Sequence, residues 1–109
     1  MLCLKPVKNE NFVVKKKNYG NYLKIDKKKV GSGSYNVVYP ATVKDTCKDS
    51  GTKVIYRVGK DSLDDVSYFK QEIKMAIKMS NNGAGPKVYG AGIDSKNRGF
   101  LVMEYLVKN

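Results

Sequence analysis

Gly31-Ser32-Gly33-Ser34-Tyr35-Asn36-Val37-Val38-Tyr39 is a glycine-rich segment set between two strand-like runs. A turn with so few side chains lets backbone N–H groups come close to a polyphosphate, so nucleotide handling is the first chemistry to expect. Other chemistries have less to draw on. The chain has no histidine, and its two cysteines, Cys3 and Cys47, lie far apart and form no CxxC. A zinc site is therefore not expected, and free thiols in a reducing setting are.

The elements that must position this turn follow from periodicity and punctuation. Tyr22, Leu23, Ile25 and Val30 fit a first strand and Val37–Lys44 a second, with the glycine turn between them. Lys48-Asp49-Ser50-Gly51 is a turn signal, and the β-branched and aromatic run Thr52–Gly59 reads as a third strand. Asp61 or Ser62 suits a helix N-cap, with Asp64 and Asp65 in the first turn, where the helix dipole favours anions. The helix runs from about Ser62 to Ser80. Val66, Phe69, Ile73, Ala76 and Ile77 form its apolar face, and Asn81-Asn82-Gly83 its stop. Two further strands, Lys87–Ile93 and Gly99–Leu106, flank the polar turn Asp94-Ser95-Lys96-Asn97. The expected class is α+β: a five-stranded antiparallel sheet with one main helix, in the order β-β-β-α-β-β.

Length and charge bound what this sheet can serve. A chain of 109 residues suits one domain with one modest core, and 41% hydrophobic with 28% charged residues is a globular balance. No apolar stretch approaches the ~18–20 residues that span a bilayer. Met1-Leu2-Cys3-Leu4 gives way at once to Lys5 and Pro6, unlike a secretory signal, so an intracellular, cytoplasmic setting is expected. Residues 1–30 carry nine lysines against Glu10 and Asp26, a net +7 of the chain's +11. Residues 1–20 read as a basic leader, for which partial disorder and one added strand at Phe12–Val14 are both open. The lysines fit a solvated face; nucleic acid, anionic lipid or an acidic protein are the partners such charge attracts. No nucleic-acid-binding motif accompanies them, so nucleic acid ranks last.

From Tyr22 onward the landmarks resemble the small, N-terminal lobe of a eukaryotic-type protein kinase, the likeness covering residues 22–109. Gly31-x-Gly33-x-x-Asn36-x-Val38 stands where the family has its glycine loop, and Val54-Ile55-Tyr56-Arg57 where it has Val-Ala-Ile-Lys. Glu72 sits in the following helix, Val88-Tyr89-Gly90 suits the fourth strand, and Leu101-Val102-Met103-Glu104-Tyr105-Leu106 looks like the fifth strand and hinge. The resemblance implies that Gly31, Ser32, Gly33 and Ser34 fold over ATP phosphates and that Arg57 takes the phosphate-binding position and pairs with Glu72. It implies that Val38 and Ile55 flank the adenine, with Met103 as gatekeeper and Glu104 to Leu106 offering backbone groups. Taken singly, Met103 and Val38 read as plain core residues and Glu72 as an ordinary exposed helix glutamate; the order of the motifs around them is what points to the site.

Departures from the family bear on the ligand. Asn36 replaces the third glycine and is mild, because asparagine tolerates positive φ. Ile55 replaces a small alanine and intrudes on the adenine space. Arg57 replaces the lysine, and a planar guanidinium does not reproduce a compact ammonium. A second register makes Lys60 the phosphate-binding residue, with Val58 two positions before it; strand alternation favours Arg57. Without histidine there is no H-R-D loop, and no Asp-Phe-Gly occurs, so this polypeptide is expected not to transfer phosphate by itself. No catalytic residue is therefore assigned. The implied cofactor is ATP, bound weakly if at all, with Mg2+ only when a second lobe is present. The implied protein partner is the missing C-terminal lobe or a second copy. Three functions stand open in this order: the ATP-binding lobe of a protein kinase, a non-catalytic kinase-like regulator of a kinase or its partner, and a basic nucleic-acid-binding domain.

Overall fold

The computed structural model describes residues 2–106 and consists of one antiparallel sheet with one helix. The strands are β1 (Leu23–Ile25), β2 (Gly31–Ser32), β3 (Asn36–Val43), β4 (Lys53–Gly59), β5 (Val88–Ile93) and β6 (Gly99–Glu104); helix α1 spans Val66–Asn81. Their order across the sheet is β1-β3-β4-β6-β5, with β2 also paired to β3. The last strand thus inserts between β4 and β5. Among the described residues no helix is long and apolar enough to cross a membrane.

Six strands stand where five were expected, because the first one breaks. Ile25 pairs with Ala41, and the next position meets Pro40, whose carbonyl accepts the Asp26 N–H at 2.8 Å. Proline has no N–H to return the second bond of that pair, so the ladder cannot continue as it began. The Asp26 carboxylate then accepts the Lys28 N–H at 3.1 Å and turns the chain. Pairing resumes only at Val30, whose N–H donates to Val38.

The helix also starts later than the acidic run suggests. Asp65 is its cap rather than a first-turn residue, with Oδ1 accepting the Ser67 N–H at 3.0 Å and the Ser67 hydroxyl at 2.6 Å. These bonds, the hydroxyl one foremost, hold the Asp65 carboxyl below its ordinary pKa. Phe69, Ile73 and Ile77 are the buried stripe, packed on Val88 and Ala91 of β5 and Leu101 of β6. The stop is as expected, with Asn82 as C-cap and Gly83 at φ 72°.

A second core lies on the opposite face of the sheet, where Leu23, Val43, Val54, Val58, Phe100 and Val102 pack with Tyr19. Residues 3–20 run along this structure. The Val7 N–H donates to Val88 O at 2.7 Å, and Lys15 and Lys17 exchange bonds with Ile93 at 3.0 Å each. Of the two alternatives left open for this segment, the strand at Phe12–Val14 is not formed; the ladder contact is a single parallel bridge, Lys16 to Ile93. Val7, Phe12 and Val14 instead pack against the helix-side core, and Leu4 against the other. The segment thereby covers the outer edge of β5, an edge that would otherwise present unpaired backbone groups.

The expectation of free thiols is overturned: Cys3 and Cys47 form a disulfide, their Cα atoms 5.7 Å apart. Beside the bond lies Asp49, in the β3–β4 turn, whose carboxylate accepts the N–H groups of Cys3 (3.0 Å) and Leu4 (2.9 Å). Those backbone bonds, the one from Cys3 first, lower the Asp49 pKa. A separation of 44 residues hid the pairing from any spacing rule. The bond also removes the cysteines as an argument for a reducing setting.

Candidate functional site: the glycine turn and the helix-side sheet face

The glycine turn closes tightly. Gly31 and Ser32 pair with Val38 and Val37, and the Gly33 N–H donates to Asn36 O at 2.9 Å, leaving Ser34 and Tyr35 at the tip. Neither Gly31 nor Gly33 has positive φ among the described residues. A Cβ on Gly33 would meet nothing within 4 Å, and one on Gly31 only Val38 Cβ at 3.9 Å. The fold therefore does not itself require glycine at either place. Asn36 is a strand residue here, so its tolerance of positive φ is not used.

Register gathers several of the singled-out residues into two rows on the helix side. Gly31, Val38, Arg57 and Leu101 oppose one another across β2, β3, β4 and β6. The neighbouring row contains Pro40, Ile55 and Met103. Val38, Ile55, Arg57 and Met103 are all half-buried, because α1 covers β5 and β6 and stops short of β3 and β4. Ile55 stands between Pro40 and Met103, so its branched side chain narrows the open surface there. Pro40 gave no functional signal in the sequence; its cross-strand place beside Ile55 follows only from the register.

Glu72 reaches this surface from the helix. Its Oε2 lies 3.9 Å from Arg57 Nη2, with side-chain exposures of 44% and 31%, so the pair is loose and solvent-screened. Val58 turns to the opposite core, and Lys60 lies past the end of β4 with its N–H given to Tyr35 O, so Lys60 does not share Arg57's position. At the far end, the Glu104 N–H is already donated to Lys87 O at 2.8 Å, and the Glu104 carboxylate accepts the Lys87 N–H at 3.3 Å. Leu106 is exposed and lies two residues beyond the end of β6. An open cavity of about 520 Å³ lies between the turn tip and the start of α1, to which Asn36 and Glu72 contribute.

One further group collects potential metal donors. Cys3, Cys47 and Asp49 bring three donor atoms within 4.8 Å of one another, with the two sulfurs bonded to each other.

No protein-family model matches the chain, and no curated protein matches it either.

Proposed function

We propose that the chain is the nucleotide-binding small lobe of a protein-kinase-like protein, holding ATP between the glycine turn and β4 without transferring phosphate by these residues alone. The observation that carries the reading is the Arg57–Glu72 pair, set in the same cross-strand row as Gly31 and Val38. A cation held beside a turn whose glycines have no internal contact to avoid is an arrangement suited to phosphate. In this reading Gly31 to Ser34 lie over the phosphates, with the Gly33 N–H kept by Asn36 O and the tip at Ser34 left to face the ligand. Arg57 supplies the positive charge and Glu72 positions it. Val38, Ile55 and Met103 contact the base, and Glu104 to Leu106 border its edge. When bound, the nucleotide would bring the phosphoryl group; with neither H-R-D nor D-F-G in the sequence, these residues bind and orient only.

The two departures from the family set the expected affinity low. Ile55 fills space beside Met103, and the planar Arg57 guanidinium does not reproduce the compact ammonium of the family's lysine. Titration of MgATP into the chain and into the Ile55→Ala/Arg57→Lys double variant tests the reading. Weak binding that tightens at least tenfold in the variant is expected; saturable binding in neither protein overturns it. The same departures favour, as second reading, a non-catalytic module that regulates a kinase or its partner. That reading gains if neither protein binds MgATP while the chain alters the activity of a purified kinase.

A further inference from the structure

The cavity at the turn tip has a chemistry of its own. Tyr35, Tyr68, Phe69 and Leu63 supply apolar and aromatic walls, and Asp61 and Glu72 supply two carboxylates. None of the described residues lining it is Lys or Arg, in a chain where 21 of 109 residues are. A negative, aromatic-walled hollow stands out in a protein of net charge +11. Arg57 approaches Glu72 from the sheet side at 3.9 Å, too far to consume its acceptor capacity, and Asp61 is exposed.

We propose that this cavity binds the guanidinium of an arginine side chain presented by a peptide. Arginine fits better than lysine because its planar head can stack on a tyrosine face while its N–H groups fork to a carboxylate. Tyr35 and Tyr68, 82% and 78% exposed, are free to swing onto such a plane. Leu63 and Phe69 then take the methylene stem. Leu63 is anchored for this, its N–H donating to Asn97 O at 2.8 Å and its carbonyl accepting the Asn97 side-chain amide at 3.1 Å. The inference does not rest on the nucleotide reading, since a polyphosphate and a guanidinium ask for opposite charge.

The experiment is a titration of Nα-acetyl-arginine-N-methylamide into the full chain, followed by amide and tyrosine-ring NMR shifts, with the citrulline analogue as uncharged control. Saturable shifts centred on Tyr35, Leu63 and Tyr68 are expected, with citrulline at least tenfold weaker. Asp61→Asn should weaken arginine binding about three- to fivefold, as loss of one exposed charge pair implies. Tyr68→Leu, at an exposed position where folding is not at stake, should weaken it by a similar factor, about the worth of one exposed cation–π contact. Equal binding of citrulline, shifts centred elsewhere, or an unchanged affinity in both variants would overturn the proposal. MgATP affinity of Asp61→Asn separates the two readings, because this residue has no part in the nucleotide site.

Discussion

On one face of the sheet Tyr19, Leu23, Val54 and Phe100 are closed in by the chain's own residues, with the Cys3–Cys47 disulfide at the margin. On the other, Val38, Ile55 and Met103 are only half-buried between the glycine turn and α1. The glycines separate by packing rather than by face, since Gly99 on the helix side lies so close to Phe69 that a Cβ would come within 2.7 Å of its ring. Gly90 packs so closely that a Cβ would come within 2.7 Å of the Tyr19 ring, and Gly92 is held between Phe100 and Lys15. Gly33, on the turn, has nothing near it. A glycine that internal packing demands reports on the fold, whereas one that packing leaves free has its reason, if any, outside the chain.

The largest test of this contrast removes the staple of the closed face. Cys3→Ala/Cys47→Ala should cost about 3–4 kcal/mol, the loop-entropy value for a bridge across 44 residues, read as a lower midpoint in urea unfolding. Limited proteolysis should then cut first within residues 2–20. An unchanged midpoint would mean that Asp49 and the Ile93 contacts hold the segment without the sulfur bond.

Next in size is a pair of glycine substitutions. Gly90→Ala forces a methyl into the Tyr19 ring of a buried core and should destabilise by about 2–3 kcal/mol. Gly33→Ala should stay within about 0.5 kcal/mol of the parent while lowering MgATP affinity. If both variants melt alike, the distinction between the two kinds of glycine fails.

How much of this was legible beforehand divides along the same line. The order of elements and the helix stripe Phe69-Ile73-Ile77 follow from local spacing, as do the Gly51 and Gly83 turns, because each depends on neighbours in sequence. The split of the first strand was not legible, since it depends on Pro40 meeting Asp26 across a register that no local pattern reveals. Nor was the path of residues 2–20, whose lysines suggest solvent while Val7, Phe12 and Tyr19 do the packing. At the site, strand alternation placed Ile55 and Arg57 together on one face. The aromatic and acidic hollow was hidden because Tyr35, Asp61 and Tyr68 belong to three separate segments.

Alkaline pH sharpens the closed face more gently. Burial raises the Tyr56 hydroxyl from its ordinary 10.0 to about 12, and it stacks on Phe100 with ring centroids 5.2 Å apart. Tyr22 on the same side is shifted upward too, again chiefly by burial. A raised pKa in the folded state means that the stability these groups contribute is intact below pH 10.0 and is lost as pH rises toward about 12. The urea midpoint should therefore fall across that window, and Tyr56→Phe should flatten the fall. A decline equally steep in the variant would assign it elsewhere.

The smallest expected effect lies on the open face, in the Arg57–Glu72 pair. At 3.9 Å and with both side chains partly exposed, its coupling energy in a double-mutant cycle of Arg57→Ala and Glu72→Ala should be only about 0.2–0.5 kcal/mol of stability. That small number is informative because the two side chains come from different elements, β4 and α1, and the helix is already fixed by Phe69, Ile73 and Ile77. A pair that adds almost nothing to folding, set in the row of Gly31 and Val38, is what the proposed site requires, because Arg57 then remains available to a phosphate while Glu72 orients it. A coupling above about 1.5 kcal/mol would instead make the pair a structural clamp and count against that proposal.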